Sequence, residues 1–186
     1  MLLFIHGFGS SGRGTKAQML KTWCQEQGIS FMSPSLPNIP ELAIETLQEI
    51  IEAIQKHEPV ALVGSSLGGF YATWLANHNQ LPYVLVNPSV EPYITLEKAV
   101  GKAINFHDQS SYEWNAQHTA SLLQFKVENP ATERCLLMVQ TGDELLDYRQ
   151  AVEYYKTAQQ IIEEGGNHGF AGFEKHLKTM TDFLKV

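Results

Sequence analysis

The stretch at residues 60–69, VALVGSSLGG, decides the fold. Its first four residues are short and uninterruptedly apolar, the pattern of a strand buried on both faces. Small and polar residues follow at once, and residues 70–76, FYATWLA, continue as a helix. Centred on Ser66, residues 64–68 fit G-x-S-x-G. Centred on Ser65, the outer positions become Val63 and Leu67, and the fit fails. A nucleophile on a sharp strand-to-helix turn holds a strained backbone. Side chains two positions to either side would crowd that turn, so both positions are glycine. A glycine-rich turn without chemistry uses the same residue types, so the motif gains weight only from the rest of the chain.

The flanking sequence alternates apolar runs with helical periodicity. Strands are predicted at 2–5, 30–33, 60–63, 83–86, 135–140 and 160–163. Helices are predicted at 15–26 with Thr15 as cap, at 41–57, after Ser66, from Tyr148, and at 172–184. In the second of these, Leu47, Ile50, Ile51 and Ile54 follow the i, i+3, i+4, i+7 spacing. Strand–helix alternation with continuously apolar strands implies an α/β fold: about six parallel strands covered by helices on both faces. Residues 88–131 break the rhythm with Pro88, Pro92, Pro130 and scattered aromatics, and are expected to form a small cap insertion in a single domain spanning 1–186. Within this insertion Tyr93, Phe106, Tyr112, Trp114 and Phe125 are candidates for an acyl pocket or for simple cover of the sheet.

Parallel sheets of this kind gather ligands at the carboxyl ends of their strands. The segments leaving the first, third, fifth and sixth expected strands read HGFGSS, GSSLGG, TGDELLD and GGNHGF. They supply Ser66 as nucleophile, Asp143 as orienting acid and His168 as base, in the chain order serine, acid, histidine. Glu144 is expected to project elsewhere, and Asp147 to cap the following helix. The backbone N–H groups of Phe8 and Leu67 are the expected oxyanion donors.

Rival chemistries fit less well. Gly7, Gly9 and Gly12 match a dinucleotide fingerprint, but the second strand ends in Met32, Ser33, Pro34 and Ser35, with no carboxylate for a ribose. "GRGTK" lacks the ending of a phosphate-binding P-loop, and no His-Glu-x-x-His or cysteine spacing suggests a metal site. No cofactor is expected. A net charge of −7 disfavours nucleic acid as partner, because phosphate binding needs a basic footprint. The five apolar residues at the start of MLLFIHGFGS are too few for a secretory signal, and no run approaches a membrane span. A cytoplasmic protein is therefore expected. Its two cysteines, Cys24 and Cys135, are expected to be buried and reduced.

The stretches HGFGSSGRGTKAQMLKTW (6–23), VGSSLGGFYATWLA (63–76), LVNPSVEPY (85–93), QTGDELLDYRQAVEYY (140–155) and IIEEGGNHGF (161–170) together resemble the small bacterial YqiA-like esterases. The resemblance spans nearly the whole chain and is weakest at about 95–131. It implies a compact α/β-hydrolase that cleaves carboxylic esters or acyl thioesters, acyl-CoA among them, with Ser66, Asp143 and His168 as its triad. Two other classes stay open on the residues alone. One is a carbon–carbon-bond hydrolase or lyase on the same triad. The other is an inactive hydrolase fold used as a binding module. For a phosphate-bearing substrate, Arg13, Lys16 and Arg149 are the cations near the expected loops, with ordinary surface pairing as their other reading.

Overall fold

The computed structural model describes residues 1–186. Its main sheet holds β1 (Leu2–Ile5), β2 (Phe31–Met32), β3 (Ala61–Ser65), β4 (Tyr83–Val86), β7 (Cys135–Gln140) and β8 (Gln159–Glu163). All pairings are parallel, in the order β2-β1-β3-β4-β7-β8. Successive side chains on a strand point to opposite faces, and here both faces are buried. Leu3, Ile5, Leu62, Leu85, Leu137 and Val139 pack beneath α2 (Pro40–Gln55), α3 (Leu67–Asn79) and α6 (Tyr148–Tyr154). Leu2, Phe4, Val63, Val84, Val86, Leu136 and Met138 pack against α1 (Thr15–Gln27) and α7 (Leu177–Leu184). Two cores on one sheet explain why the strands read as solid apolar runs.

Several expected boundaries move. β2 keeps two of the four residues predicted, and Gly14, not Thr15, occupies the cap position of α1. The helix after Ser66 starts at Leu67, as expected. The last expected helix is a 3-10 turn, Phe173–His176, followed by α7. β8 is an edge strand, and its Ile162 is half exposed despite an apolar reading. Cys24 and Cys135 are free and buried. No helix is long and apolar enough to cross a membrane.

Residues 88–131 leave the sheet after β4 and rejoin it near β7. They contain α4 (Pro92–Thr95), an antiparallel hairpin of β5 (Gly101–Ile104) and β6 (Ser111–Trp114), and α5 (Ala116–Ser121). The hairpin had no clear signature, because its exposed strands interleave few buried residues with polar ones. Its Phe106 N–H donates to Gly9 O at 2.7 Å, which ties it to the loop after β1.

Gly68 makes one of the closest approaches in the fold. A Cβ there would overlap the Ile5 and His6 carbonyl oxygens, so α3 sits directly on the end of β1. Gly64 is similar, since its Cβ would lie 2.7 Å from Ala72 Cβ. Alanine gains about 1 kcal/mol over glycine in a helix interior. Gly68→Ala is nonetheless expected to lower stability in urea denaturation, because overlap with backbone carbonyls outweighs propensity. A Gly68→Ala protein as stable as the parent would contradict this packing.

Candidate active site

Ser66 lies between β3 and α3 at φ 56° and ψ −123°, a conformation that non-glycine residues rarely hold. The turn aims its side chain at the carboxyl edge of the sheet. Its Oγ is 3.0 Å from His168 Nε2. His168 Nδ1 lies 2.8 and 3.0 Å from the two Asp143 carboxylate oxygens. A carboxylate only accepts, so Nδ1 carries the proton and Nε2 is free to accept from the Ser66 hydroxyl. The Asp143 side chain is 2% exposed. Burial acts to raise its carboxyl. The His168 hydrogen bond and the N–H groups of Leu146 and Leu145, at 3.0 and 2.9 Å, outweigh that and hold it below the ordinary carboxylate range.

The neighbouring carboxylates have separate tasks. Glu144 accepts the His168 main-chain N–H at 2.9 Å, and this bond comes first among the causes that hold its carboxyl low. Asp147 caps α6 by accepting from Arg149 N–H at 3.0 Å and also pairs with the Arg149 guanidinium. Neither reaches the imidazole.

The loop after β1 runs against the serine. A Cβ on Gly7 would meet Ser66 Cβ at 3.0 Å, so Phe8 follows within the same turn. The Phe8 N–H donates to no group of the chain. Leu67 opens α3, where the first N–H groups have no intrahelical acceptor. His6 braces this loop. Its Nδ1 lies 2.9 Å from Gly7 O, and its Nε2 accepts the Leu36 N–H at 3.1 Å. That pairing needs a neutral ring. Burial drives its pKa down, against the upward effect of the Gly7 carbonyl.

The histidine loop is held by two buried amides that the sequence reading passed over. Gln140, the last residue of β7, accepts from the N–H groups of Asn167 and Ala171 at 3.1 and 2.9 Å. It donates to Ala171 O at 2.7 Å and to Glu163 at 2.8 Å. A Cβ on Gly166, which sits at φ 75°, would run into that amide. Asn87 donates to the carbonyls of Asn167 and His168 at 3.0 and 3.2 Å and accepts from Gln140 N–H at 3.0 Å. Both side chains are almost wholly buried. Their signal was present: each is a polar residue closing an apolar strand, and a buried amide must find partners.

A cavity of about 760 Å³ opens over Ser66 and His168, with Thr95, Leu96, Ala99, Phe106, Leu145 and Leu146 in its wall. Of the five candidate pocket aromatics only Phe106 lines it. The expectation for Tyr93, Tyr112 and Trp114 therefore needs correcting. Trp114 is 1% exposed and packs edge-on to the Phe8 ring at 4.9 Å, with Tyr112 on the same ring at 5.9 Å. Tyr93 packs against Phe70, and Phe125 against Trp74. Packed on these partners, the rings support the loop after β1 and α3 instead of facing the cavity. Lys16 lines the cavity, whereas Arg13 and Arg149 do not. No cluster of three or more His, Cys, Asp and Glu side chains has the spacing to hold a metal ion.

Comparison with known proteins fits this architecture. The model of an uncharacterised protein family, UPF0227, matches residues 1–185. The UPF0227 protein of Vibrio parahaemolyticus is 25% identical over 186 residues, covering 98% of each chain. Est1E from Butyrivibrio proteoclasticus, solved with ferulic acid bound, superposes with a TM-score of 0.80 at 13% identity, over 99% of this chain and 87% of that one. Mouse alpha/beta hydrolase domain-containing protein 10 does so at 0.72 and 15% identity, over 99% and 89%. The fold is that of the α/β-hydrolases.

Gln140→Leu keeps the side chain's bulk and removes its bonds. The N–H groups of Asn167 and Ala171 then lose buried acceptors, each worth about 1–3 kcal/mol. The variant is expected to lose about 2 kcal/mol or more in urea denaturation, with faster amide exchange across residues 165–171. Unchanged exchange in that loop would show that Gln140 does not hold it.

Proposed function

Since the chain belongs to the UPF0227 family, whose shared fold is now in view, we propose that it is a serine hydrolase of carboxylic esters or acyl thioesters. One observation carries the reading: a strained Ser66 hydrogen-bonded to His168 Nε2, whose other nitrogen is bound to the buried Asp143. A lone serine on a turn has no use for such a chain of partners. In this reading Ser66 Oγ attacks the acyl carbon while His168 takes its proton. The Phe8 and Leu67 N–H groups stabilise the oxyanion. His168 then protonates the departing alcohol or thiol, and water releases the acid from the acyl-enzyme by the same steps in reverse. Asp143 keeps the proton on Nδ1 and stabilises the imidazolium. The hairpin and the turn between α4 and β5 act as a cap, presenting Phe106, Leu96 and Ala99 to an apolar acyl or leaving group. The ferulic acid of Est1E, a carboxylic acid bound on the same fold, agrees with acyl chemistry.

A fluorophosphonate probe is expected to label the protein at Ser66, as mapped by peptide mass spectrometry. Ser66→Ala is expected to fold, escape labelling and lose nearly all ester turnover. Asp143→Asn is expected to fold and lose about 10⁴-fold in turnover through the wrong imidazole tautomer. Folded protein that resists the probe and cleaves no ester would favour a binding module instead.

The pH profile follows from the same roles. Only neutral imidazole serves as base, so kcat/KM for a neutral ester rises as His168 loses its proton. Asp143 is held low and is already ionised at that point. The acid limb should therefore have the slope of a single ionisation. A slope of two, or activity that peaks with His168 protonated, would contradict the assignment.

A further inference from the structure

The cavity wall contains an ammonium group without a counter-charge. Lys16, in the first turn of α1, is partly buried, and its Nζ makes one hydrogen bond, to Gly169 O at 3.0 Å. Gly169 directly follows His168, so this contact lies at the reacting end of the cavity. No carboxylate comes within ion-pair distance of Lys16, although other lysines of the chain are paired with acids. The one negative charge that acts on it, Asp143, is already committed to His168 and to two N–H groups. Burial pushes the Lys16 ammonium toward its neutral form, and the Asp143 charge opposes this only in part.

The other charges in the wall are one of each sign. Lys98, next to the hairpin, also lines the cavity, is exposed and has no ion pair. Glu174, also exposed, is the only other charged wall residue that is not part of the Ser66 site. In a chain with 20 acidic and 13 basic residues, a wall holding two unpaired lysines and one such glutamate runs against the average. The Lys16 contact with Gly169 O is exposed, and a Lys ammonium has three donors, of which the protein uses one, leaving two for a bound anion.

We propose that the substrate carries an oxyanionic group, a carboxylate or phosphate, and that Lys16 pairs with it while the ester or thioester carbon sits at Ser66. This rests on the hydrolase reading for the position of the carbon but not for the anion site itself. Lys16 thereby selects substrate and takes no part in the proton transfers.

Two matched substrate pairs test it. p-Nitrophenyl hexanoate against the p-nitrophenyl monoester of adipic acid places the anion on the acyl side. Phenyl butyrate against 4-carboxyphenyl butyrate places it on the leaving group. The parent protein is expected to prefer the anionic member of one pair. Lys16→Met is expected to lower that anionic-to-neutral ratio of kcat/KM by about tenfold or more, mainly through KM, as fits loss of a charge-assisted hydrogen bond. Lys16→Arg should restore much of the ratio, and added salt should weaken it. No preference in either pair would overturn the proposal. A preference that survives Lys16→Met, or an equal fall for both members of the pair, would do so too; the equal fall would mark Lys16 as a tie for the Gly169 loop alone. Calorimetric titration of adipate and of 4-hydroxybenzoate into parent and Lys16→Met protein separates this idea from the hydrolase reading. Binding that depends on Lys16 in a protein that hydrolyses no ester and resists the fluorophosphonate would uphold the anion site and overturn the hydrolase.

Discussion

Buried amide groups at the carboxyl edge of the sheet must be satisfied, and much of the site depends on how this happens. Gln140 and Asn87 end two central strands inside an apolar core, where an unpaired polar group is unfavourable by about 1–3 kcal/mol. Their partners are the main-chain groups of residues 167, 168 and 171. Satisfying the core and locating the histidine are therefore one act. The loop that carries His168 has few apolar anchors before Phe170, so hydrogen bonds take the place of packing there.

Ser66 is located by a different force. Its positive φ is held because Gly64 and Gly68 let β1, β3 and α3 approach more closely than side chains would permit. Strain of this sort survives only where the surroundings over-determine it. The Ser66 N–H bonds to Val86 O, and its own carbonyl accepts from the N–H groups of Gly69 and Ser89. Close packing and these main-chain bonds fix Ser66, buried amides fix His168, and the two meet at a 3.0 Å contact.

The segment between β4 and β7 links these parts. Trp114 and Tyr112 press on the Phe8 ring from behind, Trp114 Nε1 is satisfied by Thr119 at 2.8 Å, and Phe106 N–H is bonded to Gly9. The loop that carries the Phe8 N–H is thereby gripped on one side by His6 and on the other by the hairpin. A change in that hairpin would be felt at the serine without any residue of the hairpin touching it.

Local sequence determined the order of strands and helices, the frame that selects Ser66 over Ser65, and the residues carried to the sheet edge. Each of these is written within a few residues, in apolar periodicity or in the steric need for glycine. The tertiary structure decided what depends on register and side-chain direction between distant segments. Spacing sets Asp143 apart from Glu144 and Asp147 but does not fix the register that aims them. The pairing of Gln140 with Glu163, followed by the Gly142 N–H to Gly165 O bond at 2.7 Å, turns Asp143 to the ring, Glu144 to the main chain and Asp147 to a helix end. The aromatics of residues 88–131 were legible as apolar but not as facing inward or outward. An irregular segment has no period from which to read a face, so only packing against Phe8, Phe70 and Trp74 could assign one.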